Sequence, residues 1–159
     1  MLDDIEQALQ DLGVEMDIEA FLTIIEELVY NAIQHSGEAG GIFALDLVDD
    51  QLLAKVEDSG VGIPTTMARR YPDISGGEAV LKAFVGGATS TGFEGRSGGL
   101  YLTLRYTRQV PGCLLNLYTG EVAYVGLYGN GKLLASSGFA HQGVLVEIMV
   151  PLSGREPSP

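Results

Sequence analysis

From Asp17 to Ser36 the apolar residues fall at Phe21, Ile24, Ile25, Leu28, Val29, Ala32 and Ile33, which is one arc of an α-helix of about five turns. Asp17 is placed to cap its first turn, and "SGEAGG" stops it. A helix with one apolar arc is stable only when that arc is covered by another layer. The chain supplies the layer as strand-like runs. "IFALDLV" (42–48) and "LLAKVE" (52–57) flank Asp49-Asp50-Gln51 and predict an antiparallel hairpin. Three more runs follow late in the sequence, "CLLNLYT", "EVAYVGLY" and "VLVEIMVP", with "GNG" at 129–131 as a turn signal. Shorter helical patterns occupy 3–12, about 65–70, 76–85 and 100–110, the last with Leu100, Leu104 and Tyr101 turned inward. No repeat or linker divides the 159 residues, so the expectation is a single α+β domain over 1–152 with a flexible tail at 153–159.

Charge and composition narrow the function. Twenty-one acidic against nine basic residues give a formal charge of −12, which repels phosphate backbones and anionic membranes, so no nucleic-acid or membrane partner is expected. A single cysteine, Cys113, allows no internal disulfide. The start "MLDDIEQALQ" has no signal-peptide pattern, and no run reaches 18 apolar residues. A cytoplasmic protein is expected.

The long helix carries polar groups where a core helix has no need of them. Residues four apart lie about 40° apart around the axis, so Glu27, Asn31 and His35 form one stripe bordering the apolar arc. Asp58 opens "DSGVGIP" straight after a strand-like run. That sequence fits an ordinary turn, and it equally fits a strand-end carboxylate beside glycines that let backbone approach a ligand. "GGATSTGFEGRSGG" (86–99) fits a linker, or a loop whose N–H groups and following helix N-terminus, near Gly99, cradle phosphates with Arg96 adding charge.

Taken in order, "E-x-x-x-N-A-x-x-H-S", "D-x-G-x-G-I-P" and a glycine-rich loop running into "G-G-L-Y-L" resemble the GHKL superfamily of ATP-binding domains over roughly residues 17–151. That superfamily includes DNA gyrase, heat-shock chaperone ATPases, histidine kinases and mismatch-repair ATPases. The resemblance implies the Bergerat fold, a two-layer α/β sandwich with a mixed sheet covered on one face by helices, and it implies ATP and Mg²⁺ as ligands. Carried over by residue, Asn31 would coordinate Mg²⁺ through its amide oxygen, and Asp58 would read the adenine amine with Gly60 and Gly62 making room for the ring. Thr89, Gly95, Arg96, Ser97, Gly98, Gly99 and Leu100 would belong to the phosphate-binding lid. Glu27 would be the general base, and His35 would touch a phosphate or bond near the helix end.

Two departures stand out. The second glycine box reads "GRSGGL", with Ser97 where the family has a glycine. The only histidines, His35 and His141, lie in no helical pair of the phosphoacceptor kind, so transfer would be to another protein. Stand-alone relatives of this size include the anti-sigma-factor serine kinases, which implies a partner of sigma-factor type or a small antagonist protein, with a homodimer also open. The competing expectation is a nucleotide-gated interaction module, in which ATP orders the lid and catalysis is slow or absent.

Overall fold

The computed structural model describes residues 2–14, 16–36, 40–85, 99–127, 130–135 and 140–152. Helix α1 (Leu2–Asp11) leads into the long helix α2 (Ile18–Ser36). The hairpin β1 (Gly41–Val48) and β2 (Gln51–Asp58) follows, then helices α3 (Gly62–Ala68), α4 (Gly76–Val85) and α5 (Gly99–Thr107). Strands β3 (Leu114–Gly120), β4 (Val122–Leu127), β5 (Asn130–Ala135) and β6 (His141–Pro151) complete the chain.

Local chemistry sets the element ends. The Ala20 N–H donates to Asp17 Oδ1 at 3.0 Å, the cap expected for α2. Ser75 and Glu78 form a reciprocal capping box at the start of α4, with Ser75 N–H to Glu78 Oε2 at 3.0 Å and Glu78 N–H to Ser75 Oγ at 3.3 Å. The Ser75 hydroxyl, donating to Glu78 Oε2 at 2.6 Å, and then the Ser75 N–H hold the Glu78 carboxyl below its ordinary pKa. The β1–β2 turn has positive φ at both central residues, 47° at Asp49 and 60° at Asp50. That is the backbone of a two-residue hairpin turn, tolerated by aspartate better than by most side chains. Helix α3 begins three residues earlier than the sequence pattern suggests, because Pro64 sits in its first turn, where no intrahelical donor is needed.

The sheet order is β1-β2-β6-β3-β4-β5. Every described pairing is antiparallel, which corrects the expectation of a mixed sheet. The helical crossover leaves β2 and β3 running the same way, but β6 enters between them and runs opposite to both. A fourth late strand, β5, was also not anticipated by the sequence pattern. The helices cover one face of the sheet, giving the two-layer α+β arrangement expected.

Directly opposed residues share a face, so register reads out the core. Val56, Val146, Leu117 and Tyr124 form one row beneath the helices, and Ala54, Ile148 and Leu115 the next. Phe21, Ile24, Ile25, Leu28 and Ala32 of α2 close over them. Ile33, expected in that arc, is 64% exposed, since it lies about 120° from Phe21 around the axis. Leu22 is buried instead. On α5 Leu100 and Leu104 pack against the core as expected, Thr103, Tyr106 and Thr107 are buried, and Tyr101 points out. Tyr106 is a core residue, its ring centroid 6.4 Å from that of Phe21. Leu9 of α1 is 1% exposed and joins the same core, so α1 caps its own domain.

Cys113 is fully buried just before β3, and burial pushes its thiol from 9.0 up to about 12. The unfolded chain ionises this group first, so its contribution to stability is complete below pH 9.0 and declines as pH rises from there toward about 12. The native protein is expected to resist iodoacetamide near about pH 8 and to be alkylated once denatured, as read by mass spectrometry. Rapid alkylation of the native protein would contradict this burial. Among the described residues no helix is long and apolar enough to cross a membrane.

Candidate functional site

The end of β2, the start of β6 and the end of β3, all interior strands, meet along the edge formed by one set of strand ends, and α2 ends above them. Asp58, the last residue of β2, pairs across from Gly41 on β1 and Val144 on β6. It faces the helical layer and is 5% exposed, an uncommon position for a carboxylate. Its Oδ1 accepts the Gly60 N–H at 2.8 Å, which fixes the carboxylate and curls the loop that leads into α3. Among the described residues this is the sole hydrogen bond to the Asp58 side chain.

The loop is pressed tightly into the fold. A Cβ on Gly60 would run into the backbone carbonyl oxygen of His35, so the end of α2 rests directly on this loop. At Gly62 a Cβ would lie 2.7 Å from Thr119 Oγ1. The space that a side chain would need at both glycines is thus taken by the protein itself. The Ile63 N–H donates to Thr119 Oγ1 at 3.0 Å, and Thr119 is fully buried at the end of β3. On the other side Gln142 Nε2 donates to the Ser59 carbonyl at 3.2 Å, and Gly143 lies against Asp58.

The α2 stripe is present as the helical period demands. Glu27 and Asn31 are half-buried and His35 is exposed at the helix end. Among the described residues no hydrogen bond or ion pair ties down any of the three side chains, which leaves their polar atoms available to a ligand. No cluster of three or more His, Cys, Asp or Glu among those residues would hold a metal by itself. Gly99 opens α5, and Leu100 in its first turn is half-buried. The other lid candidates, Thr89, Gly95, Arg96, Ser97 and Gly98, lie outside the described residues.

Two residues at this edge were not singled out from the sequence. Gly143 has a φ of 82°, and a Cβ there would collide with the Asp58 carbonyl oxygen and lie 2.7 Å from its Oδ1. A lone glycine opening the apolar run "GVLVEIMVP" was the available signal, since glycine in a strand marks close backbone approach. Thr119 carried no signal beyond its place at the end of a strand-like run.

The sequence profile of the histidine kinase-, DNA gyrase B-, and HSP90-like ATPase family matches residues 16–153. The chain belongs to this ATPase family. The match takes in the α2 stripe, the Asp58 loop and β6, and it begins after α1. No curated protein matches the chain in sequence. Among solved structures it is similar to full-length ShkA in complex with AMPPNP, with 15% sequence identity and a TM-score of 0.52. The likeness covers 91% of this chain and 24% of that one, so the chain spans about a quarter of the length of ShkA and shares its fold over that part. This ATPase-family fold is the GHKL fold that the motif order predicts.

Proposed function

We propose that this domain binds ATP with Mg²⁺ at the edge where Asp58 meets the end of α2, and directs the γ-phosphate to water or to a hydroxyl of a partner protein. The observation that carries the reading is the Asp58 carboxylate, buried, oriented by the Gly60 N–H and left with acceptor capacity that an adenine amine would use. The residues fit the cofactor. Asn31 offers one oxygen for Mg²⁺, which commonly takes one or two protein ligands and completes its shell with phosphates and water. The N-terminus of α5, from Gly99 and Leu100, would donate to phosphate oxygens. His35, Gly60 and Gly62 would line the same end, with Thr89, Gly95, Arg96, Ser97 and Gly98 completing the lid. When bound, Mg²⁺ neutralises charge developing on the transferred phosphoryl group.

Glu27 precedes Asn31 by one turn on the same stripe, the position from which a carboxylate would orient and deprotonate an attacking water or hydroxyl. His35 ends α2, and His141 opens β6 at 3.9 Å from Glu57. Neither histidine lies in a helical pair of the phosphoacceptor kind, and the acceptor in this reading is a hydroxyl of another protein, a sigma-factor-type regulator or small antagonist protein in the cytoplasm.

Glu27→Gln is expected to lower turnover by about 10²- to 10⁴-fold while leaving ATP binding intact, measured by phosphate release and calorimetry. Turnover unchanged by the substitution would remove Glu27 from this role. A wild type that binds ATP yet never turns over, alone or with a partner, would favour the nucleotide-gated interaction module.

A further inference from the structure

Among the described residues β1 is the outermost strand of the sheet, and its outward side follows from its register. In a hairpin closed by two residues the flanking pair exchanges both backbone hydrogen bonds, and bonded and non-bonded pairs then alternate. Val48 and Gln51 flank the turn, so Asp46, Ala44 and Ile42 bond to β2, and the backbone N–H and C=O groups of Leu47, Leu45, Phe43 and Gly41 point outward. The Leu47 N–H is satisfied locally, donating to Asp46 Oδ1 at 2.8 Å. Among the described residues the outward N–H groups of Phe43 and Leu45 have no acceptor.

Exposed edges are ordinarily blunted by lysine, proline, a bulge or short length. β1 has none of these: it pairs with β2 through eight consecutive residues without a register shift, and Gly41 to Leu45 carry no charge. Ile42 is 60% exposed on this strand. β5, at the opposite edge, does carry an exposed lysine, Lys132. Asp46 ends the open stretch, and Asp49 and Asp50 continue the exposed acidic end beyond it. The one basic residue of the hairpin, Lys55, is held by Glu57 at 2.8 Å.

We propose that the outer edge of β1 from Gly41 to Leu45 docks an extended segment of a partner protein, which adds as an antiparallel strand. Its apolar residues lie beside Ile42 and Phe43, and lysines or arginines preceding that strand lie against Asp46, Asp49 and Asp50. Antiparallel addition continues the pattern of the whole sheet and gives the more stable pairing. A second copy is the poorer occupant, since it would bring a further charge of −12 to the same edge.

The test uses the full chain and a fluorescent peptide of three lysines followed by alternating valine and threonine. Two controls accompany it, one N-methylated at alternate residues of its strand and one with glutamates replacing the lysines. Saturable binding is expected by anisotropy, with hydrogen exchange slowed by at least about tenfold at the Phe43 and Leu45 amides and unchanged at Ile42 and Ala44. Both controls should bind at least about tenfold more weakly. Equal binding of the N-methylated peptide, or protection confined to other residues, would overturn the proposal. So would sedimentation showing a dimer of the free protein in which Phe43 and Leu45 are already protected, because the edge would then belong to a second copy.

Discussion

Asp58→Ala is expected to weaken ATP binding by about 10- to 150-fold, the loss of one hydrogen bond to a charged acceptor worth about 1.5–3 kcal/mol. The carboxylate is buried, so a bond it made to an adenine amine would form away from competing water. Its orientation is already set by Gly60, and little ordering is left for the ligand to supply. Asp58→Asn keeps an acceptor oxygen without the charge and should fall between the wild type and alanine. GTP should bind far more weakly than ATP, because guanine presents a carbonyl oxygen where adenine presents its amine, and two acceptors would then face each other. Calorimetric titration of the three proteins, with thermal unfolding run beside it, separates loss of the site from loss of the fold. Equal affinity of ATP and GTP, or an alanine variant that binds like the wild type, would remove Asp58 from the base-reading role.

The second large effect is structural. Gly143→Ala is expected to cost about 3 kcal/mol or more, at the upper end for single substitutions. A φ of 82° is strained for any residue with a Cβ, worth about 1–3 kcal/mol, and here the new methyl would also press on the Asp58 carbonyl oxygen. Backbone cannot swing aside as a long side chain can, so β2 and β6 would have to separate where they pair. Gly13 provides the control. Its φ is 63° but nothing lies within 4 Å of a Cβ built there, so Gly13→Ala should show the conformational strain alone. Urea unfolding of both variants measures the difference, and equal losses would mean that the contact with Asp58 contributes nothing.

The parts of this fold that were legible in the sequence are those specified by neighbours in the chain. The α2 arc apart from Ile33, its Asp17 cap and the β1–β2 hairpin each depend on residues within a few positions, and the structure forms them close to the sequence pattern, with Gln51 joining β2 instead of the turn. The order of strands depends on pairings between distant segments, and no local period announces that β6 inserts between β2 and β3. β5 escaped notice because "NGKLLA" lacks alternation and begins among glycines. Its Gly131 serves the Tyr124 ring, which occupies the space a side chain would need. Thr119 was hidden for a similar reason, since its partner Ile63 lies 56 residues earlier. Among the candidate residues, the placing of Glu27, Asn31 and His35 on one helix stripe and of Asp58 at a strand end was legible, because polar groups bordering a core or ending a strand break the expected pattern. The packing of Gly60 against His35, and of Gly143 against Asp58, emerges only when the segments meet.

Calorimetric titration of the wild-type chain with ATP, in the presence and absence of Mg²⁺, tests the central claim most directly. Saturable binding at a single site, micromolar or tighter and strengthened by Mg²⁺, is the predicted result. A well-folded protein that takes up no ATP under either condition would contradict the account.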